Sequence, residues 1–190
     1  MLLARLSSCL TLAIERLCRP YRTASVGKRR RTLAGIAASA AAIGLIGLWI
    51  GQNYRIGWDR QVNRCLDYRV FLVSLSERPE RIGEIAVFRA QKSNPVFKEG
   101  QIIAKRIRAQ AGDEVEINPQ LQILVNGRML AQGLPYLKGA STETIRRYIG
   151  KRTLREGEYW VMGDSPTSYD SRYWGVLHEN QIIGKGYALF

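Results

Sequence analysis

Cysteine and histidine are both scarce in this chain of 190 residues, with three of the first and a single one of the second, His178. Three cysteines are too few for a disulfide scaffold. No stretch repeats, which sets aside solenoids and propellers, and no low-complexity tract marks a disordered region. Nor is there a cluster of metal-ligating residues or a cofactor motif, so no metal and no cofactor are expected. One further absence is local. From Leu33 to Ile50 no residue is charged, and this run of about 18 residues is long enough to cross a bilayer as a helix.

The charge that is missing from that run is concentrated in front of it. Arg5, Arg16, Arg19, Arg22, Lys28, Arg29, Arg30 and Arg31 stand against Glu15 alone, so about +7 of the net +13 precedes the span and about +6 follows it. Basic residues abutting one end of a span place that end in the cytoplasm. The expected organisation is a cytoplasmic basic segment over 1–32, a transmembrane helix over 33–50, a linker over 51–64 and an exported domain over 65–190. Leu3, Leu6, Leu10, Ala13, Ile14 and Leu17 recur at helical spacing, which predicts an amphipathic helix on the inner membrane surface, in contact with its lipid. Because membrane topology accounts for the basic residues, no nucleic-acid partner is expected. Cys9 and Cys18 fall on the reducing side, leaving Cys65 alone in the exported part with no partner for an internal disulfide.

The exported part reads as short strands. Tyr68–Leu75, Ile85–Arg89, Ile102–Arg108, Glu114–Ile117, Tyr159–Met162 and Ile182–Leu189 are rich in Val, Ile and aromatics, with Gly and Pro between them. Leu121–Val125 and Arg128–Leu130 flank Asn126 and Gly127, a strong hairpin signal. No long helix interrupts them. The prediction is a mainly β fold: an antiparallel domain, open barrel or folded sheet, standing on one N-terminal transmembrane helix.

Two segments carry site composition rather than core composition. One is GDSPTSYDSRYWG from Gly163 to Gly175, where turn formers, carboxylates and an Arg follow the apolar run Tyr159–Met162. The other is KRIRAQAGDEVEI from Lys105 to Ile117, in which Lys105 lies among Ile102, Ile103 and Ile107. An amine held in an apolar sheet loses solvation, which favours its neutral form and suits it to general-base work.

Together these segments resemble the type I signal peptidases that use a Ser/Lys dyad, and most of all their TraF-type conjugative-transfer branch. The family run KRxxxxxGD is matched by Lys105, Arg106, Gly112 and Asp113. Its later block, GD followed by SxDSRxWG, is matched by Gly163, Asp164, Ser168, Asp170, Ser171, Arg172, Trp174 and Gly175. The likeness covers roughly Val62 to Phe190. It implies a signal-peptidase-like domain with Lys105 as general base, and His178 occupies no family position.

The chain departs from the family at the nucleophile. Where family members carry Ser, then Met or Leu, then Pro, this sequence has Cys65, Leu66 and Asp67. Three readings are open: Cys65 is a working nucleophile, the protein is a catalytically inactive relative, or Cys replaces Ser by engineering. Under the first, which is the preferred one, a thiol needs less activation than a hydroxyl and Lys105 takes its proton. The backbone N–H of Cys65 and the side-chain amide of Asn63 would serve the oxyanion. Asp164, Ser168, Asp170 and Arg172 would support the loop that seats Lys105. The resemblance implies a peptidase on the periplasmic face of the bacterial inner membrane that cleaves, and in some relatives cyclises, a pilin precursor of a conjugation system. Other conjugative transfer proteins are the further partners it implies. The rival expectation is an inactive homologue serving that apparatus as a structural or chaperone component.

Overall fold

The computed structural model describes residues 25–59, 64–90 and 96–190. The predicted amphipathic helix, Cys9, Cys18 and Asn63 all lie outside the described residues. The chain divides into two units, Met1–Ile50 and Gly51–Phe190.

Among the described residues the first unit holds helix α1, which runs Val26–Asn53 and so includes the first residues of the second unit. It is longer than the uncharged run of 33–50, because Lys28–Arg31 continue the helix at its first end. Its 28 residues would reach about 42 Å, against about 30 Å of bilayer hydrocarbon. Its most apolar window has a mean hydropathy of 2.1, and none of its residues is buried. Such a helix, apolar on every side, has the length and composition of a membrane anchor.

The second unit holds two antiparallel sheets. The larger has the order β1-β2-β11-β3-β4-β9-β10, from Tyr54–Trp58 (β1), Val70–Ser74 (β2), Ile85–Arg89 (β3), Ile102–Ala109 (β4), Glu158–Met162 (β9), Leu177–His178 (β10) and Ile182–Ala188 (β11). The smaller has the order β7-β6-β5-β8, from Glu114–Ile117 (β5), Gln122–Val125 (β6), Arg128–Gln132 (β7) and Gly150–Thr153 (β8). Among the described residues this unit also holds two short α-helices, α2 (Thr142–Arg146) and α3 (Ser171–Trp174), and two 3-10 turns, Pro135–Leu137 and Glu179–Gln181. The β6–β7 turn places Asn126 at φ 50° and Gly127 at φ 75°, the left-handed pair that a two-residue hairpin matched to strand twist requires.

The linker expected over 51–64 is corrected: it holds the last turn of α1 and then β1. Strand β1 pairs with β2 in the register Ile56↔Leu72. It lies at the sheet edge with Arg55, Ile56 and Trp58 exposed, so no alternation of apolar and polar residues betrays it.

Strands β3 and β4 separate two bodies of core. Ala86, Phe88, Ile103 and Ile107 pack on one face with Val161, Leu177 and Ile182. Ile85 and Val87 pack on the other with Leu66, Phe71 and Val73. A third body, built on Val115, Ile117, Ile123, Leu154 and Trp160, fills the smaller sheet. Period-two alternation assigns each β4 residue to a face, and Lys105 shares its parity with Ile103 and Ile107. A lysine therefore occupies a core-facing position.

Candidate active site

Lys105 has no exposed surface. It stands opposite Ala86 across the β3–β4 ladder, and its stem runs with the isoleucines of its face. Its amine donates to Ser168 Oγ at 2.7 Å and sits 5.7 Å from the centre of the Phe97 ring. Among the described residues no carboxylate forms an ion pair with it.

Ser168 belongs to the loop that leaves β9. This loop has its own frame, set by Asp170 and Arg172, both almost wholly buried. Arg172 donates through Nε to Asp170 Oδ1 at 2.8 Å and through Nη2 to Oδ2 at 2.9 Å, a planar two-point pairing. The guanidinium also reaches the carbonyls of Ser168 at 2.8 Å and Pro166 at 3.0 Å. Asp170 in turn accepts from the N–H of Gly163 at 3.0 Å and caps α3 by accepting from the Arg172 N–H. Ser171 Oγ accepts from Val161 N–H at 3.0 Å, fastening the loop to β9. Burial works against the charge on Arg172, but its hydrogen bonds and the field of Asp170 hold it above its usual pKa. The pair spans the loop from 163 to 172, so the position of Ser168, and through it that of the Lys105 amine, depends on it.

The same loop grips Cys65. The N–H groups of Asp164 and Ser165 donate to the Cys65 carbonyl at 2.7 and 3.2 Å. Gly163 is required by this contact: a Cβ there would collide with Cys65 O and with Ser168 Oγ. The thiol is free and half-buried, and no hydrogen bond joins it to the Lys105 amine. Loop 163–168 is thus the common holder of both residues.

Asp164 sits on the other side of β4 chemistry. Its carboxylate takes Arg106 Nε and Nη2 at 2.9 and 2.8 Å and Arg108 Nη2 at 2.7 Å. Arg106 and Arg108 share one parity on β4, opposite to Lys105, so they hold the loop without touching the amine. The hydrogen bonds of Arg106 keep the Asp164 carboxyl below its ordinary value, with the charge of Arg106 and Arg108 adding to the effect. Arg108 and Phe97 did not stand out in the sequence; the i, i+2 spacing of two arginines beside a buried lysine was the available signal for the first.

Cys65 opens on a cavity of about 560 Å³. Its walls are Leu66, Phe71, Val73, Val87 and Ala104, with Phe97 and Ile102–Ile103 and the edge strand residues Ile56–Asp59. It is mainly apolar and large enough for several side chains of an extended peptide.

The family model described as signal peptidase, peptidase S26, matches residues 30–190. The chain is 30% identical over 133 residues to a probable signal peptidase I-2 of Synechocystis sp., covering 70% of this chain and 55% of that protein. It is 37% identical over 81 residues to the plasmid transfer protein TraF of Escherichia coli, covering 42% of this chain and 45% of that protein. A crystal structure of a signal peptidase I from Enterococcus faecalis is 25% identical, covering 60% of this chain and 100% of that one, with a TM-score of 0.36. The chain spans about half the length of the curated relatives it matches. With the family model matching from within α1 to the last residue, the chain belongs to the signal peptidase family, peptidase S26.

Proposed function

We propose that this protein is a membrane-anchored peptidase that cleaves an exported precursor through an acyl-enzyme on Cys65, with Lys105 as general base. The single observation that carries the reading is the loop 163–168, which holds the Cys65 carbonyl and the Lys105 amine at once. The Lys105 amine accepts the thiol proton, Sγ attacks the scissile carbonyl, and the tetrahedral oxyanion is met by the Cys65 N–H and the Asn63 amide. Collapse breaks the C–N bond, the Lys105 ammonium gives its proton to the departing amine, and a thioester remains. Ser168 keeps the amine in one orientation through both transfers.

The anchor helix and the basic residues before it favour a cytoplasmic N-terminus and a catalytic domain in the periplasm, on the inner membrane of a bacterium. The proposed substrate is a pilin precursor of a conjugation (type IV secretion) system, supported by the likeness to a plasmid transfer protein. A thioester favours amines over water more than an ester does, so the same intermediate suits ring closure. Water at about 55 M is outcompeted only by an amine held at high effective molarity.

An inactive homologue serving the transfer apparatus is the second reading, favoured by the missing hydrogen bond between thiol and amine. Coexpression with candidate pilin precursors tests both. A shortened product, or one lighter by a further water, supports cleavage or cyclisation, and an unchanged precursor mass supports the inactive homologue.

A further inference from the structure

Beyond the Cys65 cavity lies an aromatic cluster that neither the reaction nor either sheet's ladder uses. Phe97 touches Tyr169 with ring centres 6.1 Å apart. Tyr169 stacks on Tyr173 at 5.0 Å and meets Tyr136 edge-on at 5.2 Å. Tyr136 also meets Tyr173 at 5.2 Å, and Tyr148 closes the group at 6.4 Å from Tyr173. The residues come from four separate parts of the sequence. Tyr169 packs on the core beside β3 and β4, and Tyr148 and Tyr173 on that of the smaller sheet, yet Tyr136 is 51% exposed and the other three keep part of their surface. Tyr173 Oη accepts from the Tyr136 N–H, but the hydroxyls of Tyr136 and Tyr169 hydrogen-bond to none of the described residues.

Three features match this shelf to an extended peptide. The ring centres of Tyr136, Tyr169 and Tyr173 lie 5.0–5.2 Å from one another, a compact patch on which an apolar side chain of a peptide can lie. Ring faces with outward hydroxyls give a peptide both apolar contact and hydrogen bonds, at low cost in side-chain entropy. The shelf is also continuous with the reaction centre: Phe97 both walls the Cys65 cavity and touches Tyr169, which lies outside that cavity. A substrate whose acyl half fills the cavity must leave the reacting atoms by another surface, and Phe97 leads to this one.

Resting on the proposed peptidase reading, we propose that the shelf of Tyr136, Tyr169 and Tyr173 binds the leaving-group half of the substrate, the segment carrying the new amino terminus, and selects aromatic or branched apolar side chains in it.

The test is a titration without turnover. Full-length protein carrying Cys65→Ala, in detergent micelles, is titrated calorimetrically with a synthetic peptide of about six residues. The peptide has a free amino terminus and two phenylalanines at alternate positions; a control has serine at both. The aromatic peptide is expected to bind at least about tenfold more tightly than the control, with Tyr136→Ala removing that advantage and Tyr136→Phe keeping most of it. Equal binding of the two peptides, or an aromatic preference that survives Tyr136→Ala, overturns the proposal. Tyr136 is exposed enough for either variant to fold, and an unchanged melting temperature checks that it does. Since nothing is cleaved, failure of the peptidase reading is seen separately, as an unprocessed precursor in coexpression.

Discussion

Replacing Asp170 by alanine is the sharpest structural perturbation available. The carboxylate holds the buried Arg172 guanidinium at two points and accepts the N–H of Gly163, and both partners are at most 1% exposed at the side chain. Removing one member of such a pair strands a buried charge, at a cost of about 3–5 kcal/mol. For a protein of this size that is a fall in melting temperature of about 10–15 °C. A second substitution separates the charge from the loop. Asp170→Ala with Arg172→Met removes the stranded charge, but the carbonyls of Pro166 and Ser168 and the N–H of Gly163 still lose their partners. Orphaned groups of this kind cost about 1–3 kcal/mol each when they stay buried. The double variant should therefore recover only part of the loss, and precursor processing should stay impaired because Ser168 and the Cys65 carbonyl are no longer fixed. Differential scanning calorimetry of the three proteins in one detergent reads the first point, and product mass the second. A double variant as stable and as active as the parent would refute the idea that this pair organises the site.

Lys105→Arg should abolish processing while the fold persists, since a guanidinium stays protonated and cannot act as a base; normal product formation by that variant would remove Lys105 from proton transfer. Gly163→Ala should lower activity by at least about tenfold, because the new methyl displaces Cys65 and Ser168 together, and an unchanged rate would show that the loop contact is unimportant. Asp164 supplies a pH test. Its folded pKa is depressed, so its contribution is present above the ordinary carboxylate value and lost as pH falls through the folded one. Asp164→Asn should thus cost about 1–2 kcal/mol near neutrality, allowing for partial solvent screening, and the gap should close in acid well below pH 4. Parallel melting curves down the pH scale would detect a gap that persists.

The strands that alternate or are apolar throughout, such as Ile85–Arg89 and Glu114–Ile117, were legible in the sequence with their bounds intact. Those that escaped lie at sheet edges. Gly150–Thr153 is exposed at every residue and owes its conformation to its ladder with β5, in the register Val115↔Arg152. Tyr54–Trp58 is likewise defined by its partner rather than by its own pattern. At the site, the motifs put chemically active residues within one loop and one strand, but not the atoms they hold. The contact between Lys105 and Ser168 crosses 63 positions, and the tyrosine shelf gathers residues that share no motif. Local periodicity carries no information on either, because both arise from the way two sheets and one loop close on each other.

The central claim is that Cys65 becomes covalently acylated. Full-length protein mixed with a candidate precursor, quenched in acid within seconds and weighed intact by mass spectrometry, addresses it directly. The account predicts an adduct equal to the acyl fragment, mapped to Cys65, released by hydroxylamine and absent from Cys65→Ala. Normal maturation of the precursor by Cys65→Ala, with no adduct on the parent protein, would contradict it.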